Sequence, residues 1–221
     1  MEVSKKLHIS KMTYMGLFIS LIGFWLLAGA FYSTAAILGA DLESPWSALI
    51  YTTAQAVSFA VLLKIAVAEG GGFASIYFGG LTPRKIGTAT ALLAAAIVLY
   101  YPLDLLFSQA GLPPDNFGYR SGGLGLVPVA LWAVGAAFFE EAFYRGYAIT
   151  RLISLTNSPL LSYAVSIFFF SAIHLIFGVR LFLYILTVWA PLVTVTFVMT
   201  RSTWATFYFH LANNLLVNFV T

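Results

Sequence analysis

The polar positions of this chain fall into short breaks between long apolar runs. Seven runs reach the roughly 20 residues needed to cross a ~30 Å hydrocarbon core. They extend from Met15 to Ala40, Trp46 to Ala68, Ile86 to Phe107, Leu124 to Ile153, Leu160 to Phe177, Leu181 to Thr200 and Thr203 to Val220. The pattern predicts an all-α fold, a polytopic transmembrane helix bundle of seven spans. An eighth helix is added if Gly70 to Gly80 forms a short interfacial one. The whole of residues 1–221 is read as one integral membrane domain.

The breaks carry turn chemistry. Asp41 to Pro45 is a short acidic turn, and Gly70, Gly71, Gly72, Gly79, Gly80 and Pro83 make a glycine-rich loop. Ser108 to Gly125 is the longest polar stretch, with Pro113, Pro114, Asp115 and Asn116 as a turn signal. Ser158 is placed as a helix N-cap with Pro159 at the first helical position. The basic amino-terminal segment leads into an apolar run too long for a signal-peptide core, so that run is expected to be a retained span.

Composition supports the same solvent. Hydrophobic residues make up 61% of the chain and charged residues 9%, against about 25% charged in a soluble domain. Such a chain cannot cover itself with polar surface, so a lipid bilayer is its expected partner. The net charge of +3 does not point to nucleic acid, because the basic residues are scattered singly. With no cysteine, thiolate-zinc sites, disulfides and cysteine nucleophiles are excluded. Placing the amino terminus inside puts Lys5, Lys6, Lys11, Arg84, Lys85, Arg151 and Arg201 in inner loops. Asp41, Glu43, Asp115, Arg120 and Arg180 then fall outside, a positive-inside bias that predicts a cytoplasmic amino terminus. The expected location is a prokaryotic cell membrane.

Ionisable residues at span depth are costly and therefore carry the functional signal. Glu140 and Glu141 follow six residues without a polar side chain. Arg145 lies four residues past Glu141, a spacing that suits an intrahelical ion pair, while Glu140 points about 100° away. That division leaves Glu140, poorly solvated and beside a second carboxylate, as a general base. The alternative is that both glutamates serve Arg145 and do no chemistry. His174 stands one turn past Phe170, and His210 and Asn214 share one face of the last span at i and i+4. Asn213 reads as helix-to-helix glue, and His8 as a solvated residue of the amino-terminal segment. Lys64 and Asp104 read as side chains snorkelling to an interface. One carboxylate, two imidazoles and an amide suffice for hydrolysis of an amide by activated water. The same atoms could hold a divalent metal such as zinc through Glu140, His174 and His210, although no His-Glu-x-x-His helix is present.

These motifs, Glu140-Glu141-x-x-x-Arg145, Phe170-x-x-x-His174 and His210-x-x-x-Asn214, resemble in order and spacing those of the CPBP intramembrane proteases. That group, also called the ABI family, comprises CAAX proteases and bacteriocin-processing enzymes and includes the type II CAAX prenyl endopeptidases. The resemblance covers residues 124–221, the expected catalytic core. It implies an intramembrane endopeptidase open toward the cytosol, acting on a membrane-associated protein or peptide substrate, prenylated or not. It further implies that Glu140 with His174 activates water, that His210 and Asn214 form an oxyanion site, and that Glu141 and Arg145 support them. Both a metal-free, glutamate-dependent mechanism and a metal-dependent one are compatible with these residues. Two other functions compete: a non-catalytic bacteriocin-immunity or scaffold protein, and a proton-coupled transporter. No repeat symmetry of the transporter kind is visible. At ~1.5 Å per residue the span boundaries put Glu140 and His174 roughly 20 Å from the inner face, but His210 only about 11 Å.

Overall fold

Hydroxyl caps set where the helices begin. In this computed structural model, which describes residues 10–39, 46–114 and 126–219, Ser10 opens α1 (Lys11–Ile37) with a capping box closed by Thr13. Thr82 caps α3 (Pro83–Gln109) and Ser158 caps α5 (Pro159–Phe177), each with proline at the first helical position, as the sequence predicts for Ser158. The remaining helices are α2 (Trp46–Ala68), α4 (Val127–Thr156), α6 (Val179–Thr200) and α7 (Thr203–Phe219). The described residues contain no strand, as expected where every backbone group must be satisfied within its own segment. Among the described residues six helices are long and apolar enough to cross a membrane. The seventh expected span, α7, has 17 residues, the lower end of the spanning range. The chain is an integral membrane protein built as a polytopic helical bundle, and its main apolar core draws on all seven helices.

Three wide π-helical turns interrupt the bundle, at Ile19–Gly23 of α1, Ala142–Ile149 of α4 and Ile185–Trp189 of α6. Such turns are uncommon and concentrate at functional sites. The one in α4 begins directly after Glu141, and all eight of its residues are buried. It is tied to its neighbours by Tyr144, whose hydroxyl donates to the Leu21 carbonyl and whose own carbonyl accepts from Ser166.

The glycine-rich loop is not an interfacial helix. A single 3₁₀ turn, Gly72–Ile76, folds inward, and Ile76 is buried. Its carbonyls are satisfied by the bundle: Thr203 donates its hydroxyl to Ile76 (2.6 Å) and its amide to Tyr77 (2.9 Å), and Arg151 donates to Ser75 (2.8 Å). Non-helical backbone is tolerated at depth when protein supplies its partners. The consequence for α7 is direct, because Ser202 and Thr203 are fully buried. Helix α7 therefore starts among buried side chains.

Two expected surface charges turn out to be paired. Arg151, expected in an inner loop, is fully buried and grips Glu69 through Nε (3.0 Å) and Nη2 (2.8 Å). Glu69 also accepts from Thr13 (2.7 Å) and Tyr147 (3.0 Å), so one carboxylate joins α1, the end of α2 and α4. The π turn shifts the register of α4 and rotates Arg151 inward. Asp104 meets Arg180 at 3.3 Å and so does not act as a lone snorkelling residue. Lys64, by contrast, is exposed. Asp41 to Pro45, Lys5, Lys6, His8, Asp115, Asn116 and residues 117–125, Arg120 included, lie outside the described residues.

Gly146 marks the closest approach of the loop to α4. A Cβ there would stand 2.9 Å from the Ile76 carbonyl oxygen and 3.3 Å from the Thr203 hydroxyl. Alanine normally favours a helix over glycine. Here Gly146→Ala is expected instead to destabilise the detergent-purified protein by about 1–3 kcal/mol through overpacking. A melting temperature at or above wild type would contradict this contact.

Candidate active site

The two adjacent carboxylates face different helices. Glu141 is fully buried and its Oε1 accepts from Arg145 Nη1 (3.0 Å) and lies 2.9 Å from His210 Nδ1. The predicted i to i+4 pair with Arg145 is therefore present, and α7 adds a second partner. Glu140 turns toward α2, where its Oε1 accepts from the Tyr51 hydroxyl (2.7 Å) and lies 3.4 Å from Gln55 Nε2. Glu140 keeps 4% exposure where Glu141 has none. The roughly 100° between consecutive helical positions produces this division.

His210 is oriented by its carboxylate. A Glu141 oxygen that already accepts from Arg145 takes a proton-bearing Nδ1, so Nε2 is the imidazole atom left for chemistry. Asn214, one turn on, is 8% exposed and His210 5%. His174 is half-buried, and its Nδ1 lies 2.8 Å from the Phe170 carbonyl, which likewise leaves Nε2. Among the described residues no direct hydrogen bond joins His174 to Glu140.

Phe170 is the hub. The Arg145 guanidinium lies 4.3 Å from the centroid of its ring, and the His174 and His210 rings have centroids 4.9 and 6.1 Å away. A cation over an aromatic face is attracted by the ring quadrupole, which suits Arg145, whose Nε and Nη2 lack hydrogen-bond partners among the described residues. Trp189 from α6 stacks on Phe170 at 5.2 Å and 8°, and meets the His210 ring edgewise at 4.7 Å. Sequence reasoning missed Trp189, Tyr51 and Gln55. Gln55 alone carried a usable signal, as an amide at span depth; a tryptophan or tyrosine in an apolar run is indistinguishable from packing.

Oε2 of Glu140 and Nε2 of His174 and of His210 are the donor atoms left over, but among the described residues no three His, Cys, Asp or Glu side chains gather closely enough to hold a metal ion. No step is derived through a metal at Glu140, His174 and His210.

Residues 122–216 match the family described as Type II CAAX prenyl endopeptidase Rce1-like, and the stretch contains all three motifs. No curated protein and no solved structure gives a significant match.

Proposed function

We propose, from the match of residues 122–216 to the type II CAAX prenyl endopeptidase model, that the chain is a glutamate-dependent intramembrane endopeptidase acting on a membrane-associated peptide. The match supports a CAAX-type endopeptidase in general, and the residue roles and the substrate belong to this proposal. One observation carries it. The Phe170 ring touches groups from all three motifs, Arg145 of α4, His174 of α5 and His210 of α7, beside two carboxylates.

In this reading Glu140 takes a proton from water through its second oxygen, with His174 Nε2 holding the same water. The hydroxide adds to the scissile carbonyl carbon. The oxyanion accepts hydrogen bonds from protonated His210 Nε2 and from the Asn214 amide. Glu140 then returns the proton to the departing nitrogen, the carbon–nitrogen bond breaks, and a carboxylate and an amine leave. Glu141 keeps the imidazole oriented, and Arg145 balances Glu141. The cytosolic amino terminus and a prenylated carboxyl-terminal substrate are part of the same proposal.

The test is cleavage by purified protein in proteoliposomes of carboxyl-terminal peptides with and without a farnesyl group, read by mass spectrometry of the new ends. Cleavage of a membrane-bound peptide at one internal bond is expected, and it is expected to survive exhaustive chelation. Complete inertness toward the whole panel would overturn the enzymatic reading. Loss of cleavage on chelation with recovery on adding zinc would overturn the metal-free one.

A further inference from the structure

Helix α2 lies outside the family-matched residues 122–216, yet it supplies both side chains that touch Glu140. Tyr51 and Gln55 stand at i and i+4, so they project from one face of α2. That face is pressed onto α4 by small residues: Ala54 and Ala136 are buried together with Tyr51 and Ala28. At Gly135 an added Cβ would stand 2.9 Å from Thr52 Cγ2, so any side chain there would hold the helices apart. Close approach through small residues is how membrane helices bring polar groups within bonding distance. The Tyr51 ring is in turn braced by Trp25 of α1 at 5.3 Å.

Both donors fall on the same oxygen of Glu140. A carboxylate oxygen has two lone pairs, and two donors from one rigid face occupy them and fix the carboxylate's rotation. Gln55 is fully buried, and its own Oε1 has no hydrogen-bond partner among the described residues. A buried amide left half-satisfied is a poor stabilising device, which argues that its donor end is the reason for its place.

We infer that Tyr51 and Gln55 of α2 are positioning residues for hydrolysis: they engage Oε1 of Glu140 and so present Oε2 as the only proton-accepting oxygen. The inference rests on the reading of Glu140 as the base. It places part of the active site in the amino-terminal half of the chain, where no motif marks it.

The experiment compares Tyr51→Phe, Gln55→Met and Glu140→Gln in the proteoliposome assay, with melting temperature measured for each. Removing a hydrogen bond to a charged group predicts that Tyr51→Phe lowers kcat by about tenfold to hundredfold. KM and melting temperature stay at wild-type values. Gln55→Met, which keeps the volume and loses the donor, lowers kcat by a smaller factor, also without moving KM. If Glu140→Gln cleaves normally, the reading of Glu140 fails and the inference falls with it. If Glu140→Gln is inactive while Tyr51→Phe cleaves within about twofold of wild type, the inference alone is overturned. Loss of folding in both α2 variants, or a change confined to KM, assigns them a packing or binding role and overturns it as well.

Discussion

Replacing Glu140 with glutamine is expected to reduce kcat/KM by about 10²–10⁴-fold, the contribution of a positioned general base, while the protein still folds. The amide is isosteric, and its oxygen accepts from Tyr51 and Gln55 as the carboxylate does. What it loses is the ability to take a proton from water. Glu141→Gln makes a useful contrast, because Glu141 is the acceptor for both Arg145 and His210. That variant is expected to lose stability along with activity, since Arg145 is left buried without its charge partner. Kinetics and thermal unfolding of the two variants side by side separate the roles. Undiminished cleavage by Glu140→Gln would sink the glutamate-base mechanism.

The largest stability effect is expected away from the chemistry. Glu69→Ala strips Arg151 of its charge partner and leaves a guanidinium inside the bundle, where both side chains are almost inaccessible. Breaking a buried ion pair from one side costs about 3–5 kcal/mol. The hydroxyls of Thr13 and Tyr147 lose their acceptor at the same time. Thermal unfolding in detergent should therefore fall steeply for Glu69→Ala. The double variant Glu69→Leu with Arg151→Met should recover much of the loss, because no charge is then stranded. A single variant that melts within a degree or two of wild type would show that the latch contributes little.

The latch and the site are ends of one element. Arg151 stands just past the π turn of α4, and Glu140 and Glu141 just before it. Arg151 is gripped through Glu69 and Ser75, and Glu141 through Arg145 and His210. The wide turn between them is thus held at both ends, which fixes the direction in which the two carboxylates leave the helix.

Much of this was legible in the residues themselves. Span depth made Glu140, Glu141, Arg145, His174 and His210 conspicuous, because lipid leaves no inexpensive place for a charge. The i to i+4 spacing foretold the Glu141–Arg145 pair and the separate direction of Glu140, since both follow from one turn of one helix. Ser158 and Pro159 foretold where α5 begins. Each of these rests on an interaction local in the chain.

The tertiary structure decided what the sequence could not. It gave His210 to Glu141 across 69 residues and Glu140 to Tyr51 across 89. It turned Arg151 from a presumed topology charge into a latch, and it buried the start of α7 and His210 within the bundle. It also brought the Phe170 ring close to Arg145 and to both imidazoles, with Trp189 stacked on it. The reason is physical. Hydropathy and helical period fix which residues are buried and which share a face, but not which face of another helix they meet. That is settled by small-residue seams such as Ala54 against Ala136, by π turns that shift register, and by a loop that folds inward.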